Sequence, residues 1–412
     1  MKKMKTILAM AIPVVFAATA IADTYTDANG VEWRYSVVSG TNVKLGLGEN
    51  GAASLAMSSS TNVDASQIPW TFTKDDTSYR VTQIAPYAFK STKLTGTLSI
   101  PSSVTSIGSY AFWGCSWLTG ISSLGGVTGN WTQSFPETGL TGVIVIPDAF
   151  KGGIDNYAFY HCVNLTGLIV GNQTTLVGRY FAYDCDKLKG IWVKGRSGNN
   201  YTTVRQPYAC HNNDVLKVVL YGWNTTLDQN SAATTAMFTG VTGCKVFYPA
   251  NGKWNSVLFG GTNTDAIQYG TGKDITAISV DQSANTISFT PATETGLVKS
   301  LQAAPLFKDA FGWDTKINIV NTIEVTGTSL TKALFDAASA TFDSLRFAVK
   351  TQAQLDTVLA AAPESVTLVI DPTDATETLT VPLEETTRTV YMLLPPGASY
   401  ERKKSGFIII FQ

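Results

Sequence analysis

Between residues 84 and 250 the apolar positions come in short alternating runs, not at helical spacing. Leu98-Ser99-Ile100, Ile144-Val145-Ile146, Leu168-Ile169-Val170 and Ile191-Trp192-Val193 each set one residue between two apolar ones. Neighbouring side chains of a strand point to opposite faces, so each run predicts a short strand with one side inward. Pro101 and Pro147 end two of these runs, where a missing N–H does little harm. Gly108 and Gly178 supply tight turns.

The runs belong to a repeat. Leu-Thr-Gly begins at Leu94, Leu118, Leu140 and Leu165, and Leu-Lys-Gly at Leu188, in steps of 24, 22, 25 and 23 residues. A weaker copy starts near Val215, and Val241-Thr242-Gly243 closes the series. Between the triplets stand Tyr87-Ala88-Phe89, Tyr110-Ala111-Phe112 and Tyr157-Ala158-Phe159, with Tyr180-Phe181-Ala182 a swapped fourth copy. Cys115, Cys162 and Cys185 each precede the repeat Leu by three residues. One such unit cannot bury its own apolar side, and stacked units make a continuous core. The pattern predicts a mainly β solenoid of leucine-rich type.

Residues Ile100-Pro101-Ser102-Ser103-Val104-Thr105-Ser106-Ile107-Gly108-Ser109-Tyr110-Ala111-Phe112-Trp113-Gly114-Cys115 closely resemble the repeat of BspA-type leucine-rich repeat proteins. The resemblance covers residues 68–250. It implies an exported bacterial protein, secreted or held at the cell surface, with a role in adhesion to host matrix proteins, other cells or surfaces. Residues 23–67 look like the family's N-terminal cap, with Glu32–Tyr35 and Val43–Gly46 as hairpin strands, and 244–270 like the closing unit of a solenoid spanning 23–270.

The ends of the chain read differently. Lys2, Lys3 and Lys5, the apolar stretch from Ile7 to Ala18 and Ala20-Ile21-Ala22 form a signal peptide over residues 1–22, too short for a membrane span. This points to Sec export, with the periplasm, the surface or the medium as destination. Phe407–Phe411 is also too short to span a bilayer. After Gly270-Thr271-Gly272-Lys273, read as a hinge, the repeat stops. Ile275–Val280 and Thr286–Phe289 predict a hairpin. Leu297–Ala304, Leu330–Ala338 and Thr351–Ala361 predict helices, and Ser344–Val349, Val366–Ile370, Val390–Leu394 and Gly406–Phe411 predict strands. Residues 275–412 are therefore expected to form a small C-terminal α+β domain.

Composition narrows the function. The chain has 412 residues, 15% charged and 11% aromatic, with 35 glycines. Without the leader's three lysines it carries 27 basic against 31 acidic residues, a net charge of −4. That balance opposes nucleic-acid binding, which needs a basic face, and low charge with many aromatics opposes disorder. Only two histidines are present. His161 beside Cys162 and His211 beside Cys210 lack the ligand spacing of a zinc module. Asp184 and Asp186 are a weak calcium pattern. Gly46-Leu47-Gly48 with Gly51 has no βαβ unit around it, so it is not a phosphate loop. No cofactor or metal is expected. Cys115, Cys162 and Cys185 share one register and would stand parallel in the core, so they read as buried free thiols, while Cys210 and Cys244 lie in less regular units where bonding is open.

The candidate binding residues are Val145, Ile169, Trp192, Val219 and Lys245, which alternation sets on the outer face of the strand ladder. A mainly apolar outer face with a central Trp is either a contact site or a face covered by the C-terminal unit or by residues 222–240. The leading expectation is an exported, non-enzymatic binding or adhesion protein that presents its solenoid to an extracellular protein or a glycan. Two alternatives are a carbohydrate-active or other hydrolase with a C-terminal site, where Glu384 and Glu385 are paired acids, and a structural surface-assembly protein.

Overall fold

The computed structural model describes residues 23–48, 55–129, 131–198, 200–204, 210, 212–227, 238, 240–254 and 264–318. It also gives the backbone of four further strands, Ile323–Glu324, Thr341–Ala348, Thr378–Leu383 and Arg388–Leu393. The leader, the helical candidates Leu330–Ala338 and Thr351–Ala361, the strand candidates Val366–Ile370 and Gly406–Phe411, His211 and the Glu384/Glu385 pair lie outside the described residues.

The described residues form a succession of coils whose strands build two parallel ladders. The longer ladder runs Gly142–Val145, Leu165–Val170, Gly190–Val193, Val218–Tyr221 and Cys244–Pro249. The shorter one runs Gly153–Ile154, Leu176–Val177, Thr202–Val204 and Thr225–Leu227. Nearer the N-terminus, Lys93–Ile100 pairs in parallel with Leu118–Leu124 and with Asn62–Asp64. The first coil rests on a cap in which Glu32–Ser39 and Asn42–Leu45 pair antiparallel, as the sequence predicts. Tyr25, Tyr35, Phe72 and Tyr79 pack ring on ring there.

Why these residues stack is visible in the turn that carries Tyr-Ala-Phe. Tyr87, Tyr110, Tyr157 and Tyr180 all have φ between 55° and 61°, so each coil reverses in the same left-handed step. The turn frees backbone N–H groups to donate along the solenoid axis: Phe89 N to Ala111 O at 2.7 Å, Phe112 N to Ser134 O at 2.9 Å, Phe135 N to Ala158 O at 3.1 Å and Phe159 N to Phe181 O at 2.8 Å. The rings follow. Phe89, Phe112 and Phe135 stack at 5.1 and 5.0 Å with planes within 2°. Phe159 continues at 6.0 Å, and the ladder ends at the swapped copy, where Ala182 takes the next place.

The thiols stand in the same core. Cys115, Cys162 and Cys185 donate to Phe89 O, Phe135 O and Phe159 O at 2.9, 3.3 and 3.1 Å. Thr92 and Thr138 occupy this column in the neighbouring coils, and their hydroxyls donate to Phe89 O and Phe135 O. All five cysteines are buried and free. Burial pushes the Cys115 thiol up to about 12 and Cys162 up to about 11, and moves Cys185, Cys210 and Cys244 in the same direction.

Beyond the last coil the sheet does not stop. Thr264–Tyr269 pairs with Cys244–Pro249, and Tyr269 meets Ile275 at the head of a hairpin, Ile275–Asp281 with Thr286–Pro291. The expected hinge is a closed turn: Gly270 N donates to Ile275 O and Lys273 N to Gly270 O. A helix, α1, covers Glu294–Phe311. Thr293 caps its start by accepting from Gly296 N at 3.1 Å, and Gly312 ends it at φ 75°. The helix runs about two turns past the predicted Leu297–Ala304, carrying Pro305 inside it, because Phe307 and Ala310 are still buried. A strand the sequence reading did not foresee, Asp314–Asn318, then joins the hairpin in parallel.

Candidate functional site

Strand pairing fixes which residues share the outer face. Val145, Ile169, Trp192, Leu220 and Phe247 align in one row, and Gly167, Gly190, Val218 and Lys245 in a second row of the same face. Val219 belongs to neither. It aligns with Ile191 and Val246 and is part of the solenoid core. The expected outward placement of Val219 is therefore off by one residue, and Leu220 stands where it was placed. The strand Val218–Tyr221 is buried on both faces, so it shows no alternation from which its register can be read.

The row is covered. Ile169, Trp192, Leu220 and Phe247 are buried, yet they lie outside the solenoid cluster. They join a second core with Phe289, Phe307 and Trp313. Trp192 meets Trp313 edge to face at 5.2 Å, and Phe247 lies 5.5 and 5.9 Å from Phe289 and Phe307. Helix α1 sits against the strands that carry Gly167 and Gly190, and an added Cβ on Gly190 would come within 2.6 Å of the Ala310 Cβ. Lys245 is outward as expected and is engaged: its Nζ donates to Asp265 Oδ2 at 2.7 Å and to Gln302 Oε1 of α1 at 3.1 Å. Val145 lies at the near end of the row and remains 40% exposed. Of the five predicted residues the structure thus brings Ile169, Trp192 and Lys245 under one cover.

One side of the cover stays open. A cleft of about 780 Å³ runs between the loops that leave the solenoid strands and the turn Val280–Ser283 of the hairpin. Asp148, Trp192, Lys194, Arg196, Trp223 and Asp281 line it. Lys194 crosses it, donating to Asp148 Oδ1 at 2.9 Å and to Gln282 Oε1 at 2.6 Å, with its Nζ 5.2 Å from the Trp192 ring centroid. Trp223 is 47% exposed, although its ring leans on Gly270 and Tyr269. The strand-end loop is held from behind by Asn224, whose Nδ2 donates to Arg196 O at 2.8 Å and Gly198 O at 2.7 Å. Sequence reasoning picked out Trp192, predicted the central part of the helix and offered the C-terminal unit as a cover, but missed Trp223 and Trp313. One signal was on hand: Gly167 and Gly190 are glycines on the outer row of strands, a mark of close approach by another element.

His161, adjacent to Cys162, is exposed in its turn and stacks near Tyr160. Among the described residues no three His, Cys, Asp or Glu side chains converge as a metal site. No helix among them is long and apolar enough to cross a membrane.

Six copies of the BspA type leucine rich repeat region match residues 82–200. Residues 82–200 thus carry BspA-type leucine-rich repeats. The matched segment begins where the Tyr-Ala-Phe turns begin and ends within the shorter ladder. Among solved structures, this chain is similar to a leucine rich cell surface protein from Faecalibacterium prausnitzii A2-165, at 14% identity over 59% of this chain and 94% of that one, with a TM-score of 0.24. It is similar to a leucine-rich repeat protein from Bacteroides ovatus, at 15% identity over 80% and 87%, with a TM-score of 0.26. It is also similar to a leucine rich repeat protein of T. pallidum, at 18% identity over 58% and 84%, with a TM-score of 0.23. Comparison with curated proteins returns no match.

Proposed function

We propose that this BspA-type protein is exported and acts by binding, without catalysis, as an adhesin that presents its repeat surface to an extracellular protein or glycan. The observation that carries the reading is the division of labour in the fold. The solenoid's interior is filled by Leu, Phe and Cys columns, and the apolar outer face of the longer ladder is closed by α1, leaving area and a lined cleft at the rim. An extended, rigid, preformed surface suits recognition, because little ordering is lost on contact. The leader pattern of residues 1–22 and the BspA-type repeats of residues 82–200 support export and a surface location.

The test is an unbiased screen of residues 23–412 against immobilised matrix proteins, whole cells and glycans, with a parallel panel of chromogenic glycoside and peptide substrates. Saturable capture of one partner without turnover is the expected result. Turnover of a substrate with no saturable partner would overturn the reading in favour of the hydrolase alternative.

A further inference from the structure

We propose that the cleft beside Trp192 and Trp223 is a binding site for a neutral saccharide. This inference rests on the binding role proposed above and names the chemistry of its ligand. Four observations converge. The cleft, about 780 Å³, has the volume of a site for a compact organic ligand. Trp223 lines it and is nearly half exposed, while its ring is braced by Gly270 and Tyr269. A braced, exposed indole is an apolar plate, and sugar rings carry an apolar C–H face that fits one, with hydroxyls left at the rim for polar partners.

Charge points the same way. Lys194 is neutralised by Asp148, and Arg196 faces the cleft with Asp281 across it, so the formal charges of the lining cancel. A polyanion needs an excess of cations, which this lining does not have, while its indoles beside polar and charged side chains suit a ligand with both an apolar face and hydroxyls. Finally, the wall is built in advance. An added Cβ on Gly195 would meet Trp223 O at 2.0 Å, and one on Gly222 would meet Lys194 O at 2.0 Å, so the two loops lie backbone on backbone. Asn224 ties them together. A site whose walls are fixed before the ligand arrives loses little affinity to ordering.

The experiment is calorimetric titration of residues 23–412 with maltohexaose, cellohexaose, mannohexaose and laminarihexaose, with heparin and a protein partner from the screen as further arms. At least one neutral hexasaccharide should bind saturably and quench tryptophan emission. Trp223→Ala should weaken it about tenfold or more while the chain still melts in one cooperative transition at a somewhat lower temperature, and Trp223→Tyr should restore part of the loss. Absence of binding by all four neutral sugars, equal binding by Trp223→Ala, or preference for heparin would each overturn the proposal. If a protein partner still binds when the sugars do not, the adhesin reading stands and only the saccharide site falls. If neither binds, both fall.

Discussion

Gly190→Ala tests whether the outer face is a true intramolecular interface. The new Cβ would sit 2.6 Å from the Ala310 Cβ and 2.7 Å from the Phe311 ring. The ring can turn, but the Ala310 methyl is fixed to the helix backbone. Carbon atoms rest about 3.5–4.0 Å apart, so α1 must withdraw by roughly 1 Å. A gap of that size forfeits a quarter to a half of the dispersion attraction across it, and overpacking of this kind typically costs about 1–3 kcal/mol. Replacing glycine returns about 0.4–1 kcal/mol by restricting the unfolded chain. The net is about 1–2 kcal/mol against seating the helix, a five- to thirtyfold rise in its open population. Hydrogen exchange read by mass spectrometry is the assay. Amides of 294–318 should exchange faster by that factor, while Leu118–Leu124, whose side chains pack in the solenoid cluster, should not change. Gly129→Ala is the control, because nothing lies within 4 Å of its added Cβ. Unchanged exchange over 294–318, or equal acceleration along the whole solenoid, would refute the reasoning.

Other outcomes follow from the columns of the core. Asn213→Ala removes an amide that accepts from Cys185 N at 2.7 Å and donates to Ala182 O at 2.7 Å and Cys210 O at 3.2 Å, leaving buried groups unpaired; urea denaturation should report a loss on the order of 3 kcal/mol. Phe112→Ala breaks the ring ladder between two neighbours and should lower stability by about 3–5 kcal/mol in the same assay, with Phe112→Leu losing less. The native thiols should resist an aromatic disulfide reagent at pH 8 and react fully in urea. Because burial raises Cys115 from 9.0 to about 12 and Cys162 to about 11, unfolded chains lose these protons first. Stability is therefore whole below pH 9 and falls as pH rises above it, by about 1.4 kcal/mol per pH unit for each such thiol, and a melting series from pH 8 to 10.5 checks the sign.

The solenoid was legible because its turn is. A coil that must reverse in one left-handed step, bury one Phe and place one Leu repeats the same letters at the same distance, and Leu-Thr-Gly with Tyr-Ala-Phe reports all three demands. Where another residue meets the demand, the letters vanish while the structure persists. Gln133-Ser134-Phe135 is a complete turn in register with Tyr110-Ala111-Phe112, with Thr138 in the cysteine column, although only its Phe matches the motif. Past Val193 the logic changes. Val218–Tyr221 and Cys244–Pro249 face a core on each side, so their apolar runs carry no alternation and Val219 was read one residue out of place. The covering helix was half legible: Leu297–Ala304 has the period, but its extension depends on Phe307 and Ala310 meeting an outer face 60 to 140 residues earlier in the chain.

The cover and the cleft are consequences of one geometry. A bare row of Val145, Ile169, Trp192, Leu220 and Phe247 would be a flat greasy strip, a surface that recruits partners indiscriminately. Helix α1 buries the middle of that strip, and the hairpin Ile275–Asp281 with Thr286–Pro291, which continues the sheet beyond Thr264–Tyr269, leaves a cleft between its turn and the loops at the strand ends. The space between them is bridged by Lys194, whose ammonium joins Asp148 of the solenoid to Gln282 of the hairpin turn. Removing the bridge separates the two roles. In Lys194→Met the methylene stem still covers Trp192, while Asp148 and Gln282 lose their shared donor. The pair is largely exposed on the Asp148 side, so stability should fall by no more than about 1 kcal/mol. The turn Val280–Ser283 should nonetheless exchange faster than the strands behind it, and any ligand held in the cleft should weaken with it. An unchanged turn would mean that the hairpin is positioned by α1 alone and that the cleft owes nothing to the ion pair.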